Sequence, residues 1–177
     1  MPAGNAPRFI PVNIAVMTVS DTRTEADDKS GNILAGYVTE AGHNLTARAI
    51  VTDDQDKIEA QLRQWIDDPK IDVVIATGGT GLTGRDITPE AFAAVYEKEI
   101  LGFGELFRMK SFDKIGTSTM QSRATGGMAN GTYLFALPGS PSACRDGWED
   151  ILGPQLDNRT RPCNLVELMP RLKEHLQ

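Results

Sequence analysis

Asp72-Val73-Val74-Ile75-Ala76 runs directly into Thr77-Gly78-Gly79-Thr80-Gly81, a junction that few folds accommodate. A short, unbroken apolar run reads as a strand covered on both faces, the condition of a parallel sheet. The glycines behind it permit positive φ and let a ligand approach the main chain, while Thr77 and Thr80 offer hydroxyls to anionic oxygens. Next comes Gly84-Arg85-Asp86-Ile87-Thr88-Pro89-Glu90. It supplies a cation, a carboxylate and a helix start, with Thr88 as N-cap, Pro89 at N1 and Glu90 in the first turn. The same glycines would also suit a tight turn that needs them only for packing. Arg85, Asp86 and the capped helix favour a phosphate-binding turn.

The pattern on either side of this junction alternates. Residues 12–19 are β-rich and almost wholly apolar, which predicts a central strand. Ile33, Leu34, Tyr37, Val38 and Ala41 form one helical stripe, and Gly42 is placed to end it. A second strand is predicted over 45–51. Asp53 and Asp54 then open a helix whose Ile58, Leu62, Trp65 and Ile66 share a face. Short βαβαβ connections with right-handed crossovers give a doubly wound α/β fold, a parallel sheet sandwiched between two helical layers.

Further along, a helix over 89–99 buries Phe92, Val95 and Tyr96, and Gly102-Phe103-Gly104 reads as a break before a short helix at 105–112. Asn130-Gly131 lies between two β-rich runs, a strong hairpin signal that makes one strand of the sheet antiparallel. Pro138-Gly139-Ser140-Pro141 repeats the earlier logic of strand end, glycine turn and helix start, with Ser140 as N-cap and a helix over 142–156. The chain reads as one domain over 1–177, with a flexible arm at 1–9 and a basic, proline-broken tail at 158–177.

Composition excludes several classes of function. The 177 residues suffice for a core without disulfides or metal. No apolar run approaches the roughly 18 residues of a membrane span, and the N-terminus has no secretory pattern, so cytoplasmic residence is expected. A net charge of −6 argues against a binder that tracks nucleic-acid phosphates. Cys144 and Cys163 form no CxxC, and His43 and His175 stand alone, which disfavours a His- or Cys-based metal site. Any anionic ligand must be gripped by local donors, for which Arg23, Arg85, Arg108 and Arg123 in or beside loops are candidates.

In an open α/β sheet ligands sit beyond the carboxyl ends of the strands. That rule gathers Ser20-Asp21, Asp53-Asp54, the stretch 77–86 and the stretch 138–142 at one end of the sheet. Glycine turns and hydroxyls suit phosphate, but carboxylates repel it unless a divalent cation lies between, so the combination implies Mg²⁺. Asp21 and Asp53 or Asp54 serve equally as caps of the helices that follow them. Asp86 is harder to explain that way, since Thr88 fills the cap position. Ser122-Arg123 suits either a ligand contact or a strand start. Neither a P-loop nor a dinucleotide fingerprint is present.

Taken together, Thr18-Val19-Ser20-Asp21, Asp28-Lys29-Ser30-Gly31, Thr77-Gly78-Gly79-Thr80-Gly81, Arg85-Asp86-Ile87-Thr88-Pro89-Glu90, Gly102-Phe103-Gly104-Glu105 and Pro138-Gly139-Ser140-Pro141 resemble the MoaB/MogA family of molybdenum cofactor biosynthesis proteins. The resemblance spans about 10–164. Phe107-Arg108-Met109-Lys110-Ser111-Phe112, the run 115–123 and Asn158-Arg159-Thr160-Arg161-Pro162-Cys163-Asn164 place it nearest the bacterial B-type members. The resemblance implies a molybdopterin-binding fold, with ATP and molybdopterin as substrates and Mg²⁺ as cofactor in adenylylation of the pterin's phosphate. It assigns catalytic and metal-binding roles to Asp53, with Asp54 as the alternative register, and to Asp86. Ligand contacts fall on Ser20, Asp21, Thr77, Gly78, Gly79, Thr80, Gly81, Ser122, Arg123, Pro138, Gly139 and Ser140. It further implies a homo-oligomer, a trimer or a hexamer of two trimers. Some B-type members lack the acid after the second strand and hold the pterin without the reaction; this chain keeps Asp53. A non-catalytic carrier and, apart from the resemblance, a flavodoxin-like nucleotide-binding module are the alternatives.

Overall fold

The computed structural model describes residues 7–177. Six strands, β1 (Asn13–Val19), β2 (Asn44–Val51), β3 (Val73–Thr77), β4 (Lys98–Glu99), β5 (Thr125–Ala129) and β6 (Thr132–Leu137), form one sheet in the order β2-β1-β3-β6-β5-β4. β2, β1, β3 and β6 run parallel, and β5 is antiparallel to both of its neighbours. This is the expected mixed sheet with one reversed strand. The hairpin between β5 and β6 turns at Asn130 and Gly131, both with positive φ, as a two-residue turn that follows the strand twist requires.

Alternation along the central strands divides the core in two. Ile14, Val16, Val73, Ile75, Phe135 and Leu137 face one helical layer, where they meet Leu34 and Val38 of α1 (Lys29–Glu40), Phe103 and Phe107 of α4 (Leu101–Ile115) and Cys144 of α5 (Pro141–Gly147). Ala15, Met17, Val74, Ala76 and Leu134 face the other, built by Ile58, Leu62 and Trp65 of α2 (Gln55–Ile66) and Phe92 of α3 (Thr88–Val95). Each fully buried Leu, Ile or Phe contributes about 1.5–3 kcal/mol. Both faces of β1, β3 and β6 are therefore closed among the described residues, which leaves their tips open to a ligand.

Several local expectations are corrected. Thr88 is the first residue of α3 rather than its cap; Ile87 holds the cap position, and the Thr88 hydroxyl donates to Gly78 O at 2.8 Å. α3 ends at Val95, because Tyr96 turns extended and the chain joins the sheet as β4. Gly127 accommodates this: a Cβ there would lie 2.4 Å from the Tyr96 ring. Gly102-Phe103-Gly104 does not break the chain but lies inside α4, where Gly104 lets the helix approach the Ala124 carbonyl. The helix after Ser140 passes through a π-helical turn, Trp148–Leu152, before a last turn at Gly153–Gln155. The tail carries a short helix, Leu165–Leu168, capped by Asn164.

The arm expected over 1–9 lies mostly outside the described residues. Within them, Arg8 to Ile10 is fastened: Asn158 donates to Arg8 O at 2.9 Å and accepts from Ile10 N at 2.8 Å. The Phe9 ring lies between His43 and the Arg159 guanidinium. His43 is buried and accepts from Val12 N, a structural role.

Candidate functional site

Two glycine turns meet at the carboxyl ends of β3 and β6. Gly78 N donates to Leu137 O, the Thr77 hydroxyl donates to Pro138 O at 2.9 Å, and the Cys144 thiol donates to Thr77 Oγ1. Burial pushes that thiol up to about 11, so it stays a neutral donor. The backbones touch: a Cβ on Gly139 would lie 3.2 Å from Gly78 Cα. Gly78 and Gly79 have φ of +103° and +67°, and a Cβ on Gly78 would collide with Val19 O at 2.2 Å. Only glycine fits there without strain.

With their carbonyls held by Thr88, the turn's amides are left over. Thr88 Oγ1 binds Gly78 O, and Thr88 N donates to Gly79 O at 3.0 Å. The N–H groups of Gly79, Thr80, Gly81, Gly139 and Ser140 donate to no protein group among the described residues. All five residues line one cleft of about 670 Å³, together with Asp86, Ser122, Pro138 and an apolar wall from Phe107, Ile115 and Ala143. Unpaired amides converging on a cleft form an anion-binding concavity. The volume is in the range of small-molecule sites.

The acids occupy distinct positions. Asp54 caps α2 by accepting from Lys57 N at 3.1 Å, which leaves Asp53 outside the helix. Asp53 stands against the first turn, its Oδ1 3.1 Å from where a Gly79 Cβ would be. Burial raises its carboxyl above the usual range, and the negative charges of Asp21 and then Asp86 add to the effect. Asp86 lies against Gly81; its Oδ2 accepts from Thr83 N at 2.8 Å and Thr83 Oγ1 at 2.7 Å. Asp21 caps no helix. It receives a bidentate Arg85 at 2.8 and 2.9 Å and the Asp53 amide at 3.0 Å, and the Arg85 bonds hold its carboxyl below the usual range.

Of the arginines marked in the sequence as anion holders, Arg85, Arg108 and Arg123 are engaged within the protein, whereas Arg23 is more than half exposed and lines a smaller hollow beside Ser20 and Gly78. Arg85 is bound to Asp21. Arg108 donates to Ser122 O and Ala124 O, and Arg23 lies 3.9 Å from Asp27. Arg123 bonds Gly81 O at 2.8 Å, Asp86 O at 3.0 Å and the Glu90 carboxylate, while its own amide donates to Thr80 O. It braces the first glycine turn from behind and is not part of the cleft wall. Ser20, Thr77 and Gly78 line a second hollow of about 320 Å³ at the tip of β1, which Gly139 separates from the main cleft.

Sequence reasoning missed Lys114 and Asp146, which form an ion pair on the α4 and α5 side of the cleft, and also Ser111 and Gln121. The signal for Ser111 was there: Phe103, Phe107 and Ser111 follow each other at four-residue spacing and are all buried on one face of α4. Lys114 and Asp146 come from helices whose packing no local pattern reveals.

This open sheet with paired glycine turns defines a class. Residues 15–158 match the family described as "Probable molybdopterin binding domain", and the chain belongs to that MoaB/MogA family of molybdenum cofactor biosynthesis proteins. Among curated relatives, molybdenum cofactor biosynthesis protein B of Escherichia coli (strain K12) is 52% identical over 166 residues, covering 94% of this chain and 96% of the relative. A crystal structure of a molybdenum cofactor biosynthesis protein B aligns at 41% identity with a TM-score of 0.84, covering 95% of this chain and 98% of that one. The tungsten cofactor synthesizing protein MoaB from Pyrococcus furiosus aligns at 38% identity with a TM-score of 0.74, covering 81% and 91%.

Proposed function

We propose that this protein binds molybdopterin in the main cleft and, with ATP and Mg²⁺, adenylylates its terminal phosphate. The observation that carries the reading is the set of five unpaired amides from two glycine turns in one cleft, with Asp53 and Asp86 against the first turn. In the reaction an oxygen of the pterin phosphate attacks the α-phosphorus of ATP, the bond to the β-phosphate oxygen breaks, and pyrophosphate leaves. The protein's task is alignment and stabilisation of charge on the transferring group, which preorganised amides perform without reorganising. The apolar wall of Phe107 and Ile115 suits a flat heterocycle.

The acids fit Mg²⁺. Asp53 is held at a raised carboxyl pKa beside two like charges, a situation that a cation relieves. Asp86 keeps Oδ1 free of protein donors among the described residues while Oδ2 is fixed by Thr83. Mg²⁺ is commonly held by one or two carboxylates plus substrate phosphates, and when bound it would neutralise phosphate charge.

A homo-oligomer, trimer or hexamer, belongs to the same proposal. Met109, Phe112 and Ile115 on α4 and Met120 in the following 3₁₀ turn are more than half exposed, an apolar face that a second copy would cover. Cytoplasmic residence accords with the reading; no helix among the described residues is long and apolar enough to cross a membrane.

Equilibrium titration with molybdopterin and, separately, with ATP and Mg²⁺ tests the binding half. Wild-type protein is expected to bind both, and Asp86→Asn to keep the pterin while losing the magnesium dependence of ATP binding. Absence of pterin binding to the wild type would sink the reading.

A further inference from the structure

The cleft just described is a site for anions with one cationic side chain in its wall. Lys114, at the end of α4, lines it, and Arg85, Arg108 and Arg123 are engaged elsewhere in the protein, while Arg23 lines the separate, smaller hollow. Asp146 of α5, 15% exposed, binds the ammonium of Lys114, whose own side chain is 61% exposed, so the lysine is tethered to α5 while staying open to a ligand. An ammonium has three donors and Asp146 takes one. Ser140 and Ser142 line the same wall, 3.3 Å apart at their hydroxyls, beside the unpaired amides of Gly139 and Ser140. Hydroxyls, amides and an anchored cation are the chemistry of a phosphate station. It is distinct from the first glycine turn, which presents amides and acids but no cation.

We propose that Lys114 is a specificity-determining residue, the cation that receives a phosphate group at the α5 side of the cleft. This rests on the proposed molybdopterin and ATP reading, and it adds the residue that selects phosphorylated ligands over their neutral counterparts. Asp146 sets the ammonium's position and offsets its charge in the empty site. A ligand phosphate then shares the ammonium with Asp146 instead of displacing it.

Titrations with ATP, molybdopterin and adenosine test the assignment. Lys114→Ala is expected to weaken ATP or molybdopterin by about tenfold to a hundredfold, the usual worth of a charge-assisted bond, and to leave adenosine unchanged. Whichever phosphorylated ligand is affected identifies the source of the phosphate. Lys114→Arg should stay within about threefold of wild type. Removing the lysine alone also exposes Asp146 to the ligand, so the double variant Lys114→Ala/Asp146→Ala decides the cause: it is expected to remain weak. Full recovery in the double variant, or no weakening in Lys114→Ala, would overturn the proposal. If the wild type bound neither phosphorylated ligand, the functional reading would fall with it. Binding that depends on Lys114 but yields no adenylylated product would reject the catalysis alone.

Discussion

At the scale of single residues, the site sets stability against function. Asp53 has a folded-state carboxyl pKa raised by burial and by the Asp21 charge. The native state therefore binds more protons than the unfolded chain as pH rises from the ordinary carboxylate value through the raised one, and stability falls across that interval. Above it the cost is fully present. Asp53→Asn is expected to raise the melting temperature at pH 7 by up to about 3 °C, with the gain disappearing near pH 3, as thermal scans would show. A lower melting temperature at pH 7 would mean that the carboxylate is already stabilised by the protein alone. Arg123 acts in the opposite sense. Its truncation to alanine would leave Gly81 O, Asp86 O and the Glu90 carboxylate without their donor, at a cost of about 2 kcal/mol. Denaturant melts should show this, with Arg123→Lys in between because an ammonium cannot span three acceptors in one plane.

At the scale of elements, the turn after β3 depends on its glycines to different degrees. Gly78→Ala combines positive φ with a collision at Val19 O and is expected to cost about 3 kcal/mol or more, whereas Gly84→Ala meets nothing within 4 Å and should be neutral within about 0.5 kcal/mol. Equal effects at both would show the turn to be malleable. The same turn shows what a sequence can and cannot convey. The apolar runs at 73–76 and 12–19 announced central strands, because a strand closed on both faces needs no polar alternation. Asn130-Gly131 likewise announced the hairpin. β4 was illegible: two residues carry no period, and Lys98 and Glu99 pair only because Tyr96 packs over Gly127. Thr88 read as a cap because its type and the following proline suit one, yet its hydroxyl is used across the loop on Gly78 O. Gly102 and Gly104 read as breakers because glycine's close-packing role depends on a partner, the Ala124 carbonyl, far along the chain. The site followed the same division. Its glycine turns and acids were legible from local chemistry, whereas the capture of Asp21 by Arg85 and the pairing of Lys114 with Asp146 beside the cleft depend on long-range packing.

At the scale of the whole molecule, two features extend beyond one chain. The exposed face of Met109, Phe112 and Met120 makes the isolated protein sticky, and Phe112→Glu is expected to reduce the mass measured by light scattering from that of a trimer or hexamer to that of smaller species. A wild-type protein that is monomeric at tens of micromolar would contradict the assembly. The net charge of −6 gives no general attraction for phosphorylated ligands, so the proposed binding would have to rest on the cleft's own amides and on Lys114. The proposed transfer of an adenylyl group in this cleft stands or falls on a single-turnover incubation of the purified protein with molybdopterin, ATP and Mg²⁺, resolved by chromatography. Adenylylated pterin formed by the wild type and reduced at least a hundredfold in both Asp53→Asn and Asp86→Asn, about 2.7 kcal/mol of transition-state stabilisation, is the expected result. Bound pterin with no adenylylated product in the wild type would contradict it and make the protein a carrier.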